Sequence, residues 1–379
     1  MHVACIGTYW FPEVPGGLER YVHGLVRRLA GDGDVVDFYT LGRPTAVGGA
    51  SRPHCIGDPQ HNTVRRFIAA GICYARELPR SCDVVNVHFA LSGLPALPFL
   101  PRRAPLVYHF HGPWCEESRR EGAGQLNVVL KRQVERLVFT RCAHFIAQSE
   151  AFKRTLCSSY GISDERVTVL PLGIDTHAFA PRTSRRQARA MLGWPQDRFI
   201  AFTARRLVRR VGLPALLDAI ATIRTRRNDV WLAVAGNGPL REALQLQIDA
   251  LELDEHVRLV GYLSEEELAL AYRAADLTVV PSRELEGFGS IIAESLACGT
   301  PALVTPVGGM PEWLEPFDAS LIMEGCDRYA IARSLDAVVA GRVPLPDPER
   351  CRAYAERTFS WPVVAAGVRD VFARARGRG

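Results

Sequence analysis

Short apolar runs alternate with amphipathic stretches through the first 172 residues. HVACIGTYW, VVDFYT, VVNVHF, LVYHFH, HFIAQS and VTVLP have the length and continuity of buried strands, while 18–30 and 125–141 carry apolar residues at helical spacing. The segment 171–195, with PLGIDTHAFAP and GWP, breaks this rhythm and reads as a linker. The alternation then restarts with FIAFTAR, VWLAVAG, VRLVGY, LTVVPS and PALVTP, with helical patterns at 213–226 and 265–274. A last helix, 361–376, follows a break at Pro344 to Pro348. Strands alternating with helices predict an α/β chain with two doubly wound parallel sheets. Ligands of such sheets bind beyond the carboxyl ends of the strands, near helix N-termini, so two sheets facing each other would share one cleft.

The length of 379 residues suits two domains rather than one core, and 47% hydrophobic with 23% charged residues is ordinary for an ordered globular protein. The net charge of +5 is scattered, which argues against a nucleic-acid partner. Only Lys131 and Lys153 are lysines, so arginine supplies the other 44 positive charges and the second half has no lysine for a Schiff base or a phosphate. Ten cysteines without CxxC spacing, an N-terminus that reads as a strand, and an apolar stretch at 91–101 interrupted by Pro95, Pro98 and Pro101 point to a reducing, cytoplasmic protein without an integral membrane segment.

The candidate chemistry lies just after strands. Gly16 and Gly17 follow the first strand and open a helix, where bare amides and the helix N-terminus suit an anion; this is not the GxGxxG dinucleotide fingerprint. His109 and His111 end the fourth run, in LVYHFHGPW, and alternation puts both on one face. ARRLVRRVGL opens the second half with Arg205, Arg206, Arg209 and Arg210, whose forked donors suit a diphosphate. GNGP, from Gly236, is a strand-to-helix turn with a secondary ligand role. The most specific segment is ELEGFGSIIAESLACGTP: Glu286 stands outside a helix start built on Gly287, Phe288, Gly289 and Ser290, and Glu294 lies about two turns in. Amides there can hold phosphate while the carboxylates take hydroxyls at two parts of one long ligand. Asp32-Gly33-Asp34 has the look of a metal-binding DxD, but it precedes a strand and reads as a loop.

In order and spacing, Gly16-Gly17, His111, Arg206 with its following arginines, GNGP, Glu286 to Glu294 and VGGMPEW resemble the retaining glycosyltransferases of family GT4, over essentially the whole chain. The resemblance implies the GT-B fold: an acceptor-binding Rossmann-like domain at 1–178, a nucleotide-sugar-binding one at 179–358, and a helix at 359–379 crossing back to the first. It further implies that Glu294 accepts ribose hydroxyls, Glu286 donor-sugar hydroxyls, and the amides of Phe288 to Ser290 the diphosphate. Arg206 and its neighbours, with Gly16-Gly17, would neutralise the leaving group; Gly261-Tyr262 would meet the base, and His111 the transferred sugar. In the family a lysine stands five positions after the arginine; here it is Val211, so Arg209 or Arg210 must serve. No metal and no cofactor beyond the donor is expected. The implied activity is retaining transfer of a hexose-like sugar from a UDP- or GDP-sugar to a small soluble acceptor, in specialised-metabolite or antibiotic biosynthesis, with an aminocyclitol or a small thiol compound as candidate. A nucleotide-sugar epimerase or a non-catalytic sugar-nucleotide binding protein are the competing readings.

Overall fold

The computed structural model describes residues 1–180 and 182–377. The chain divides into two compact units, Met1–Ile174 together with the closing helix that opens at Trp361, and Asp175–Ser360.

The first unit holds β1 (His2–Tyr9), β2 (Val35–Leu41), β3 (Ala50–Cys55), β4 (Val84–Val87), β5 (Leu106–Phe110), β6 (Cys142–Ala147) and β7 (Val167–Val169). They form one parallel sheet in the order β3-β2-β1-β4-β5-β6-β7. One face carries helices Thr63–Glu77, Gln125–Phe139 and Glu150–Tyr160; the other carries helix Gly17–Gly31 and the closing helix Trp361–Gly377. The closing helix seats Trp361 against Gly24 and Gly173, where a Cβ would lie 2.3 and 2.5 Å from the indole. Arg369 ties it down by donating to Asp32 and Asp34 at 2.7 Å each, which gives the DxD-like loop a structural use.

The second unit holds β8 (Phe199–Ala204), β9 (Val230–Ala235), β10 (Val257–Gly261), β11 (Leu277–Val280) and β12 (Ala302–Val304), all parallel, in the order β10-β9-β8-β11-β12. Both sheets are thus doubly wound and Rossmann-like. Their strand order reverses between β1 and β4 and between β8 and β11, the places where such sheets open a crevice at the strands' carboxyl ends.

Two sequence expectations need correction. The segment expected as a linker contains helix Arg185–Leu192, started by a Ser184–Gln187 capping box and stopped by Gly193 at φ 63°. Its polar sequence hides its anchor, the buried Arg189, which donates to Asp276 at 2.6 Å and to the carbonyl of Ala274 at 2.9 Å. LVYHFH is the fifth strand, not the fourth. The extra strand is β3, whose sequence ASRPHC lacks an apolar run because it forms the sheet's edge and is largely exposed.

Candidate active site

In the second unit, β8 and β11 are neighbours, so the loops that leave their carboxyl ends lie side by side. The arginine loop follows β8 and the glutamate loop follows β11. The amide of Arg283 donates to the carbonyl of Arg210 at 2.9 Å, and Gly212, at φ 77°, passes so close to Pro281 that a Cβ would meet its carbonyl oxygen at 1.8 Å. The loop after β12 closes from the far side, where the amide of Gly309 donates to the carbonyl of Glu286 at 2.9 Å. The turn after β9 packs behind: Gly236, at φ 120°, would set a Cβ 1.9 Å from the carbonyl oxygen of Arg205. Gly236 thus has a demonstrable packing role, that of letting two loops cross.

Glu286 is the focus of these loops. Its Oε2 accepts from Nη2 of Arg205 and, at 2.9 Å, from the Ser282 hydroxyl. Burial alone would push its carboxyl up, but the guanidinium groups of Arg205 and Arg210 outweigh burial and hold it below the usual carboxylate range. The Arg205 side chain is only 9% exposed, and its Nη1 is buried with no hydrogen-bond partner among the described residues. Arg206 and Arg209 are exposed, while Arg210 is partly buried and reaches the carbonyl of Leu285 at 3.4 Å. Sequence reasoning grouped Arg205 with its neighbours and gave it no role of its own. The available signal was the doubled arginine before Leu207.

Helix Ser290–Ala297 starts at Gly289, φ 76°, with no side chain capping it, so its opening amides face the loop. Seven of its eight residues are buried, including Glu294, which is 6% exposed and accepts from the Tyr272 hydroxyl at 2.7 Å. Gly287 is buried, Ser290 is partly exposed, and the ring of Phe288 packs on Trp313 and Phe359 with centroids 5.9 and 5.3 Å apart, so Phe288 can offer a ligand only its backbone. The Tyr262 side chain is 52% exposed, and the Gly261 carbonyl beside it accepts from the amide of Gly236 at 2.6 Å.

In the first unit, His109 within β5 and the residues that follow β4 and β5, His88 and His111, come together as a stack of histidines. His88 lies parallel to His109 at 4.6 Å, and the His111 ring follows at 5.4 Å from His88. Gln148 Nε2 donates to His111 Nδ1 at 2.7 Å, which leaves His111 Nε2 to donate to His88 Nδ1 at 3.1 Å. His109 bonds Tyr21 at 3.1 Å and Asn86 at 3.0 Å and serves as scaffold. Burial pulls all three rings below the usual imidazole value, His111 to about 3. These histidines are neutral at physiological pH. His88 escaped the sequence reading because it ends a separate strand. Gly16 caps helix Gly17–Gly31 and leaves room for the Glu19 carboxylate, whose Oε2 would lie 2.1 Å from a Cβ there and whose Oε1 accepts from Thr8 at 2.7 Å.

The family description "Glycosyltransferase Family 4" matches residues 15–178, and "Glycosyl transferases group 1" matches residues 184–358. A D-inositol 3-phosphate glycosyltransferase of Thermobispora bispora is 30% identical over 399 aligned positions, covering 96% of this chain and 91% of the relative. The chain belongs to the family 4 glycosyltransferases. A second such relative, D-inositol 3-phosphate glycosyltransferase 1 of Catenulispora acidiphila, is 30% identical across 89% of this chain and 84% of its own. Among solved structures, the sucrose-phosphate synthase of Thermosynechococcus elongatus matches with a TM-score of 0.81 at 21% identity over the whole of both chains. Anabaena HepE in complex with UDP-glucose matches with a TM-score of 0.77 at 18% identity, covering 99% of this chain and all of that one. This glycosyltransferase therefore has the GT-B fold, with Rossmann-like units.

Proposed function

We propose that this glycosyltransferase moves a hexose-like sugar from a UDP- or GDP-sugar to a small polyhydroxylated acceptor, with retention at the anomeric carbon. The observation that carries the reading is the placing of two carboxylates about one helix start. Glu286 stands before the helix under two guanidinium groups, and Glu294 lies buried within it beside Tyr272. An anion between them meets uncapped amides and arginine, while each carboxylate has a hydroxyl-bearing ring to bind.

In this reading Glu294 takes the ribose, the amides of Phe288 to Ser290 take the diphosphate, and Glu286 takes the donor sugar. Arg205, Arg206, Arg209 and Arg210 stabilise the leaving group. The bond from the anomeric carbon to the diphosphate breaks with its electrons passing to phosphate oxygen. The acceptor oxygen attacks the same face, and its proton goes to the departing phosphate. Electrostatic stabilisation of that departing charge is the main catalytic contribution. His111, neutral and held by Gln148, acts as a hydrogen-bonding group for the sugar rather than as an acid. Gly16 and Gly17 are assigned to the leaving group on the family resemblance.

The names of the relatives, which give D-inositol 3-phosphate, support a cyclitol-type acceptor, and specialised metabolism is the proposed setting. A thermal-shift screen of UDP-, GDP- and dTDP-sugars identifies the donor by the shift it produces. Turnover of that donor is then measured with and without inositol phosphates and aminocyclitols. Donor consumption that is indifferent to every acceptor would overturn the transferase assignment in favour of an epimerase.

A further inference from the structure

Two helices on one face of the seven-stranded sheet turn large apolar side chains outward. Helix Thr63–Glu77 buries only Ala70 and Tyr74 fully, whereas Val64, Phe67, Ile68 and Ile72, at positions i, i+3, i+4 and i+8 of one helix face, are exposed, Val64 to 68% and Ile68 to 56%. Helix Gln125–Phe139 buries Val128, Val138 and Phe139 but exposes Leu126, Val129, Leu130 and Leu137. The short turn Leu94–Phe99 touches both helices and adds the exposed Phe99. With the first helix it walls an open apolar groove of about 510 Å³, lined by Phe67, Ile68, Leu97, Pro98 and Phe99. All three elements rest on the same buried core, so their outward sides belong to one face of the unit. The groove, with the exposed apolar side chains of the first helix and the turn around it, is apolar ground of the kind that marks a partner on a protein surface.

Charge selects the partner. Arg65, Arg66 and Arg76 lie on the first helix, Arg102 and Arg103 follow the turn, and Lys131, Arg132 and Arg136 lie on the second helix. The carboxylates on these three elements are Glu77 and the buried Glu135. A second copy docking by the same face would bring arginine against arginine with few carboxylates opposite. An anionic bilayer offers hydrocarbon to the apolar side chains and headgroup phosphate to the arginines.

We infer that this face is a membrane-docking surface. It lies in the interface of an anionic bilayer, with Phe67, Ile68, Phe99 and Leu130 among the side chains entering the acyl boundary and Arg65, Arg102 and Arg103 meeting phosphate. Attachment is peripheral, because among the described residues no helix is long and apolar enough to cross a membrane. The inference is independent of the donor and acceptor assignments.

The test is co-sedimentation of the full chain with vesicles of phosphatidylcholine alone or mixed with phosphatidylglycerol. Binding is expected to the mixed vesicles, weakened by salt and much weaker on phosphatidylcholine. Phe67→Ser with Ile68→Ser is expected to weaken it at least about tenfold. Arg102→Glu with Arg103→Glu leaves the apolar face untouched and is expected to cost about fivefold for each arginine removed. Circular dichroism of each variant separates lost docking from lost folding, and the arginine pair keeps the test open if the serine pair unfolds. Absent binding to the mixed vesicles, or equal binding to both kinds, overturns the inference. So does a dimer in sedimentation equilibrium that Phe67→Ser with Ile68→Ser dissociates, since the face would then belong to a second copy.

Discussion

Arg205 holds Glu286 through Nη2 while its Nη1 stays buried without a hydrogen-bond partner among the described residues. A buried guanidinium donor left open beside a carboxylate is costly unless something takes it, and in the proposed site that is an oxygen of the donor. This gives a chain with Val211 in the family's lysine position another source of charge. Arg205→Ala is expected to lower kcat about a hundredfold, the usual loss when one donor to a developing charge is removed. It should also raise the acid limb of the pH–rate profile, because the Glu286 carboxyl loses the guanidinium that depresses it most. Val211→Lys is not expected to rescue it, because Val211 is 2% exposed and packs in the hydrophobic core of the second unit, where an ammonium would be buried without a partner. An acid limb that stays put would show that Arg205 does not govern Glu286.

Glu294 and Tyr272 separate binding from turnover. Glu294→Ala should weaken nucleotide affinity by about tenfold or more, because a hydrogen bond to a charged group is removed. Tyr272→Phe should weaken it less, since the carboxylate remains but loses one donor. Glu286→Ala should mainly lower turnover. Calorimetric titration with the nucleoside diphosphate decides the matter, and equal affinity in wild type and Glu294→Ala would refute the ribose assignment.

The histidine stack sets a pH limit on stability. Its rings titrate below their unfolded value in the fold, so the unfolded chain binds more protons as pH falls. Their contribution is complete above about pH 6.5 and is lost as pH falls toward the folded value, about 3 for His111. His88 and His109 are buried whereas His111 is partly exposed, so solvent screening keeps the share of His111 in the loss at pH 5 below about 2 kcal/mol. Chemical denaturation at pH 7 and pH 5 should show it, and His111→Gln should shrink the difference. A pH-independent stability across that interval would contradict the buried, neutral stack.

Turnover is expected to survive excess EDTA, because Arg205 and Arg210 already supply positive charge at the proposed leaving-group site. Loss of activity on chelation, restored by manganese or magnesium, would assign that charge to a metal instead.

The sequence made the sheets legible because central strands such as VWLAVA and LTVV are buried on both faces and read as unbroken apolar runs. What escaped it was polar on the outside and tied down at long range. The edge strand ASRPHC offers no apolar run, and helix Arg185–Leu192 is fastened by an ion pair to Asp276, far away in sequence. The same holds in the site. Glu286 and Glu294 stand on one short segment and were visible together, whereas Arg205 and His88 acquire their partners only when separate strands become neighbours.

The first unit is not continuous in the chain, and this orders the protein's birth. Val3, Tyr21, Leu25 and Leu29 pack in one core with Val364, Val368, Val371 and Phe372 of the closing helix, and Trp361 fills the space over Gly24. A ribosome delivers that helix only after all of Asp175–Ser360 has emerged. Domains generally fold as they are made, first to last. Here the unit begun first is completed last, and until Trp361 arrives the nascent chain carries an uncovered hydrophobic face that a chaperone, or a neighbouring nascent chain, can reach.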